Sequence, residues 1–123
     1  MARRVDRAFA ALLLVGAILH AYGSFSGYDL GSQTLVWSLS GSFAGALLAV
    51  LNFVRADRPE DQTLAWITFV GCLCWVAVAI GFGAAIGNVI DPRVLWHAVS
   101  AVVLAAFSLR TAMGRAKVTN SGR

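Results

Sequence analysis

The longest apolar run in the chain decides the fold: residues 64–89 read LAWITFVGCLCWVAVAIGFGAAIGNV. The run contains no Asp, Glu, Lys or Arg. A helix needs about 20 apolar residues to cross the hydrocarbon core of a bilayer, and this run exceeds that length. Membrane β-strands instead alternate apolar and polar residues over about 10 positions. Residues 64–89 therefore predict a transmembrane helix.

The composition extends this interpretation to the whole chain. Of the 123 residues, 59% are hydrophobic and only 13% are charged. Ordinary soluble domains carry about 25% charged residues. The balance excludes an intrinsically disordered chain and argues against a soluble enzyme. The length leaves room for one domain only, with no separate catalytic module beside the helices.

Three further apolar runs complete a set of four predicted helices. The breaks between the runs are the turn-rich residues 23–29, the charged residues 55–61 and Asp91-Pro92-Arg93. Charges and proline do not remain in hydrocarbon, so these breaks are connections. The predicted helices cover about residues 8–26, 34–54, 63–89 and 94–110. We therefore predict an all-α, four-transmembrane-helix up-and-down bundle over residues 1–109, followed by a basic, disordered cytoplasmic tail at residues 110–123.

The basic residues predict the orientation of this bundle. If both termini lie on one side, nine of the ten Lys and Arg residues lie there, and only Arg93 lies on the other side. Positive residues concentrate in the cytoplasm, so both termini are predicted to be cytoplasmic, in the cytoplasmic (inner) membrane of a bacterium. The net charge of +4 then needs no nucleic acid to explain it, because a basic cytoplasmic rim facing anionic lipid gives the same excess. The lipid bilayer is the predicted partner. A cleaved signal peptide is the competing interpretation of the first run, but His20 inside that run argues against it.

The two histidines, the only ones in the chain, are the sharpest candidates for function. His20 lies about one and a half turns before the first predicted helix ends, and His97 about one turn after the fourth begins. At about 1.5 Å per residue, both lie about 6–10 Å below the outer surface. The first and fourth helices of an up-and-down bundle are neighbours. We therefore predict that both histidines are axial ligands of haem b or a related redox ligand, for electron transfer or haem handling.

Residues at the same depth support a ligand between the helices. Ser38 and Gly41 on the second helix, with Gly81 on the third, leave space for a flat macrocycle. Arg93 lies one turn before His97 and nearer the water, where it suits a haem propionate. The predicted cofactor-binding residues are His20, His97, Arg93, Ser38, Gly41 and Gly81.

Small residues also allow a second interpretation, because they let membrane helices pack closely. Two Gly-x-x-x-Gly pairs occur, Gly41 with Gly45 and Gly83 with Gly87. They predict an accessory subunit of a larger membrane complex, or a homo-oligomer. Each histidine is then neutral and bonded to a neighbour, for which Ser24 and Ser100 are the candidate partners.

Transport and catalysis receive less support. Small-solute transport is a further alternative, although no predicted span carries a charged residue in its middle for ion coupling. No catalytic residues are predicted, because neither histidine forms a recognisable set with a serine and a carboxylate. Cys72 and Cys74 are two residues apart on a helix, so their thiols point about 200° apart and are predicted to be apolar fillers.

Overall fold

A computed structural model describes residues 1–114 as four helices. They are α1 (Ala2–Gly27), α2 (Gln33–Asp57), α3 (Gln62–Ala85) and α4 (Pro92–Met113). All four are long and apolar enough to span a membrane, which supports a multi-pass membrane protein. Most of the predicted tail, residues 115–123, lies outside the described residues.

Contacts between helix ends show that α1 and α2 run antiparallel. At one end, Arg3 at the start of α1 binds Asp57 at the end of α2, with N and O atoms 2.6 Å apart. At the other end, the hydroxyls of Ser24 on α1 and Ser38 on α2 lie 2.6 Å apart. We call the end with Arg3 and Asp57 the termini end, and the end with Ser24 and Ser38 the loop end. Helix α1 packs against α2 and α4, and α3 packs against α4, whereas α2 and α3 meet less closely.

Polar residues in the connections fix where three of the helices begin. The side chains of Ser32 and Asp61 accept hydrogen bonds from the backbone N–H groups of Leu35 (3.2 Å) and Leu64 (2.9 Å). Asp91 caps α4 in the same way, and Pro92 occupies the first turn, where its missing N–H costs nothing. These caps satisfy N–H groups that the first turn of a helix leaves without partners.

The third helix ends earlier than its apolar sequence predicts, at Ala85 instead of residue 89. Gly87 has a φ of 71°, a left-handed conformation that glycine adopts without a steric penalty. The N–H of Asn88 then donates to the carbonyl of Gly83 at 2.8 Å, which closes the last turn. Residues 86–91 therefore form the connection to α4.

The other helices extend further into charged sequence than the prediction allowed. Helix α1 begins at Ala2 instead of residue 8, α2 continues to Asp57, and α4 continues to Met113. Charges at these ends are tolerated because they find partners across the bundle: Arg3 and Arg7 both bind Asp57, at 2.6 and 3.3 Å. Hydrophobicity therefore underestimates helix length where charges are paired between helices.

The centre of the bundle is packed with small and aliphatic side chains. Leu13, Leu104 and Cys72 are fully buried there together with several alanines. The alanines let the helix backbones approach closely, as in other membrane bundles. Cys74 is exposed on the opposite side of α3, so the two thiols are separate. Large apolar side chains such as Phe43 (70% exposed) and Ile18 (58% exposed) face outwards, where lipid would solvate them.

Candidate functional site

A cavity of about 640 Å³ lies at the loop end of the bundle, with all four helices contributing to its walls. Sites for small molecules and cofactors span about 300–1,000 Å³. We call it the histidine cavity because His20 from α1 and His97 from α4 both line it. Its walls are mostly apolar, with Ala17, Val78 and Ala79 among the residues that form them.

Five of the six predicted site residues line this one cavity: His20, His97, Arg93, Ser38 and Gly41. Gly81 does not line it. Gly81 is exposed, and a Cβ added there would have no neighbour within 4 Å. The adjacent Phe82 faces the cavity instead. Successive residues on a helix point about 100° apart, so the rotation of α3 that turns Phe82 inwards turns Gly81 away.

The ring of His20 is held by a serine on the neighbouring helix. Its Nδ1 lies 2.7 Å from the hydroxyl of Ser42. Ser42 can donate its single proton to the carbonyl of Ser38, 3.2 Å away, and it then accepts the N–H of the imidazole. In that arrangement Nε2 of His20 carries a lone pair.

A second pair of serines ties α1 to α2 beside this ring. Ser24 donates to the carbonyl of His20 at 2.7 Å, and its oxygen lies 2.6 Å from the hydroxyl of Ser38. Because Ser24 has only one proton, Ser38 is the donor between the two hydroxyls. Ser24, a predicted ring partner, thus binds the backbone of His20, whereas Ser42 binds the ring.

The ring of His97 is held by a different group, the indole of Trp75 on α3. Trp75 Nε1 donates to Nδ1 of His97 at 3.3 Å, and the two rings are T-shaped with centroids 5.7 Å apart. An indole N–H is only ever a donor, so Nδ1 of His97 accepts and the proton of the neutral imidazole lies on Nε2. The two histidines therefore share a cavity but have separate partners. Trp75, and not Ser100, is the partner of His97.

Glycine at position 16 allows α4 to approach α1 at this level. A Cβ placed on Gly16 would lie 2.9 Å from Cε1 of His97 and from two indole atoms of Trp96. The indole N–H of Trp96 donates to the carbonyl of Leu12 at 2.8 Å. The close contact at Gly16 thus fixes the position of His97 relative to α1.

Arg93 also lines the cavity, but it already has a partner. Its guanidinium binds both carboxylate oxygens of Asp91 at 2.9 Å and lies over the ring of Phe82 at 5.6 Å. The side-chain hydrogen bond from Arg93 lowers the pKa of Asp91 to about 2. The pair is therefore ionised at physiological pH and is lost only as pH falls towards that value. Two of the five guanidinium N–H groups are used, which leaves others for an anionic group of a ligand.

A buried polar cluster at the termini end was not foreseen from the sequence. Arg55 was expected in a connecting loop, but it lies within α2 and its side chain is 1% exposed. Its guanidinium binds Asp6 on α1 at 2.5 Å, Asn52 at 3.2 Å and Thr111 on α4 at 3.4 Å. Charges predicted to lie in water are thus buried and paired.

The cluster continues from Asn52 to the remaining helix. Ser108 on α4 donates to Asn52 Oδ1 at 3.3 Å, and Thr68 on α3 lies 3.0 Å from Ser108. Asn52 also donates to the carbonyl of Leu48 at 2.9 Å. Side chains from all four helices therefore meet in one hydrogen-bonded network. The spacing of Asn52 and Arg55, which places them on one face of α2, is the signal that could have indicated it.

Metal binding by protein ligands alone receives no support within residues 1–114, which contain no group of three or more His, Cys, Asp or Glu side chains able to hold an ion. Comparison with known proteins found no matching family, no matching curated protein and no matching solved structure.

Proposed function

We propose that this chain is a small multi-pass protein of a bacterial cytoplasmic membrane, with cytoplasmic termini, that binds haem b or a related flat redox ligand in the histidine cavity. Its role would be electron transfer or haem handling. The observation that carries the proposal is that both histidines of the chain, from helices far apart in sequence, line one largely apolar cavity of about 640 Å³. Haem sites in helical bundles combine these features.

His20 is the better prepared of the two histidines that would hold such a ligand. Histidines that bind metals donate their second ring N–H to a neighbour, which fixes the ring and leaves the other nitrogen free. His20 can do this through the hydroxyl of Ser42, 2.7 Å from Nδ1. His97 instead accepts a hydrogen bond from Trp75, which places its proton on Nε2. Binding of iron by His97 therefore requires Trp75 to release Nδ1.

The remaining polar residues would orient such a ligand. Arg93 lies at the rim with unused N–H groups and suits a carboxylate of the ligand. Gly41 leaves open space in the wall, since a Cβ at this position would have no neighbour within 4 Å. A haem held here would supply one-electron redox chemistry, while the protein fixes its orientation and surroundings.

The two histidines are expected to contribute unequally. His20→Ala should weaken haem binding by about 100-fold, whereas His97→Ala should weaken it by about tenfold or less, because only His20 has a free nitrogen in the resting arrangement. Titration of the purified chain with haem, followed by the Soret band, measures both. Cys74→Ala, at an exposed position outside the cavity, is the control. Equal binding by the His20→Ala variant and the wild type would contradict the proposal.

Removing the indole N–H of Trp75 is expected to free His97 to bind the haem iron. Trp75→Phe keeps an aromatic ring but no longer donates to Nδ1, so the proton of His97 can move there and free Nε2 for iron. We expect the visible spectrum of the haem-loaded variant to shift towards a six-coordinate, low-spin form. Trp66→Phe, on the same helix but 47% exposed and away from the cavity, is the control. A spectrum identical to the wild type would show that Trp75 does not govern His97.

The accessory-subunit alternative stays a second proposal, although three of the four glycines on which it rests have roles within the chain. A Cβ on Gly45 would lie 2.8 Å from the indole of Trp75, and a Cβ on Gly83 would lie 2.9 Å from the backbone of Val89. Gly87 lies beyond the end of α3. Gly45, Gly83 and Gly87 therefore serve packing or a turn within the chain, whereas Gly41 meets open space.

A further inference from the structure

A second cavity, of about 460 Å³, lies at the termini end of the bundle. It has no part in the function proposed above. We call it the arginine cavity because Arg3, Arg55 and Arg110, from α1, α2 and α4, all line it. Three helices thus bring arginine residues to one concave site at the level where the bundle ends.

The charges of the arginine cavity are only partly neutralised. Asp6 and Glu60 also line it, and Asp6 binds the buried Arg55. Arg3 shares Asp57 with Arg7. Arg110 is exposed in the last turn of α4, and within residues 1–114 the structure records no carboxylate in ion-pair contact with it. The cavity therefore keeps positive charge available for a ligand.

Backbone groups add to this positive charge. The first residues of α1, Ala2 and Arg3, line the cavity, and the preceding residue, Met1, provides no side-chain cap. The first N–H groups of a helix have no partner within the helix, and the helix dipole favours an anion beside them. A helix start favours an anion, and arginine side chains pair well with phosphate oxygens.

We propose that the arginine cavity binds a phosphate-bearing anion. Two sources share this chemistry, the headgroup of an anionic phospholipid and a free phosphate compound. Guanidinium groups bind the oxygens of both in the same way. Basic sites between helices at the membrane surface are known to suit lipid headgroups. The position of the cavity, at the ends of spanning helices, is within reach of such headgroups.

The test uses the full chain, purified in detergent, with phosphatidylglycerol or phosphatidylcholine added and bound lipid counted by native mass spectrometry. We expect phosphatidylglycerol to bind in preference. Arg110→Gln should weaken its binding by about tenfold, because a charge-assisted contact is lost. Arg4→Gln removes the same charge from an exposed position of α1 that does not line the cavity. This control should change binding less than about twofold, because an exposed charge that does not line the cavity contributes little.

Competition by inorganic phosphate distinguishes the two sources. Displacement of the lipid by phosphate at moderate concentration supports a free phosphate compound as the ligand, and retention of the lipid supports the headgroup. Equal binding of the two lipids, together with no binding of phosphate, would overturn the proposal. Equal losses in the Arg110→Gln and Arg4→Gln variants would also overturn it, because general surface charge would then explain the attraction.

Discussion

Replacing Arg55 with methionine is expected to destabilise the folded chain by about 3–5 kcal/mol, the cost of removing one partner from a buried ion pair. Asp6, 5% exposed, would lose its guanidinium and keep a carboxylate with no compensating charge. Asn52 and Thr111 would lose a donor at the same time. Thermal unfolding of the purified variant in detergent, compared with the wild type, measures the effect.

A double variant distinguishes the effect of the buried charge on stability from the effect of side-chain packing. In Asp6→Leu with Arg55→Met no buried charge remains, and we expect most of the lost stability to return, as with other buried pairs replaced by apolar residues. Arg58→Met, three residues further on and exposed, is the matched control and should change stability by less than about 0.5 kcal/mol. If the Arg55→Met variant were as stable as this control, the pair would not hold the helices together.

Filling the histidine cavity is expected to weaken ligand binding as strongly as removing His20. Gly41 lines the cavity, and a Cβ there meets open space, so the side chain in Gly41→Leu would occupy the volume needed by a ligand. An overpacking cost of about 3 kcal/mol corresponds to a loss of about 100-fold in affinity. The haem titration described above measures it.

Gly81→Leu is the matched control for this substitution. Gly81 is also free of neighbours within 4 Å, but it lies outside the cavity. The same side chain at this position should therefore leave binding unchanged, while both variants remain folded. Equal loss of binding in the two variants would indicate a general effect of leucine on the bundle. Unchanged binding in Gly41→Leu would place the ligand elsewhere.

The four spans could be predicted from the sequence, because a helix needs a set length of apolar residues to cross the hydrocarbon core of a bilayer. It also predicted that His20 and His97 lie at one level, because depth follows from counting residues to the nearest helix end. That Gly81 lies outside the cavity could not be predicted from the sequence. The residues of α3 are apolar on every side, so its sequence carries no signal for the rotation about its axis.

The polar cluster could not be predicted from the sequence for a different reason. Asp6 and Arg55 lie close to the ends of their spans, where unpaired charges normally face water. Only their contact across helices, 49 positions apart in the chain, makes burial possible. The hydrogen bond between Trp75 and His97 could not be predicted either, because a tryptophan within a span usually indicates packing or an interfacial anchor. Which side chains pair between helices depends on how the helices pack, and the sequence pattern of one helix does not show it.

One absorption spectrum tests the central claim most directly. The full chain should be purified from cells supplied with ample haem, beside a double variant in which His20 and His97 are both alanine. We expect a Soret band in the wild type and its absence in the double variant, with both proteins equally helical by circular dichroism. A wild-type chain without the band, or a double variant that retains it, would contradict the assignment of the histidine cavity as a haem site.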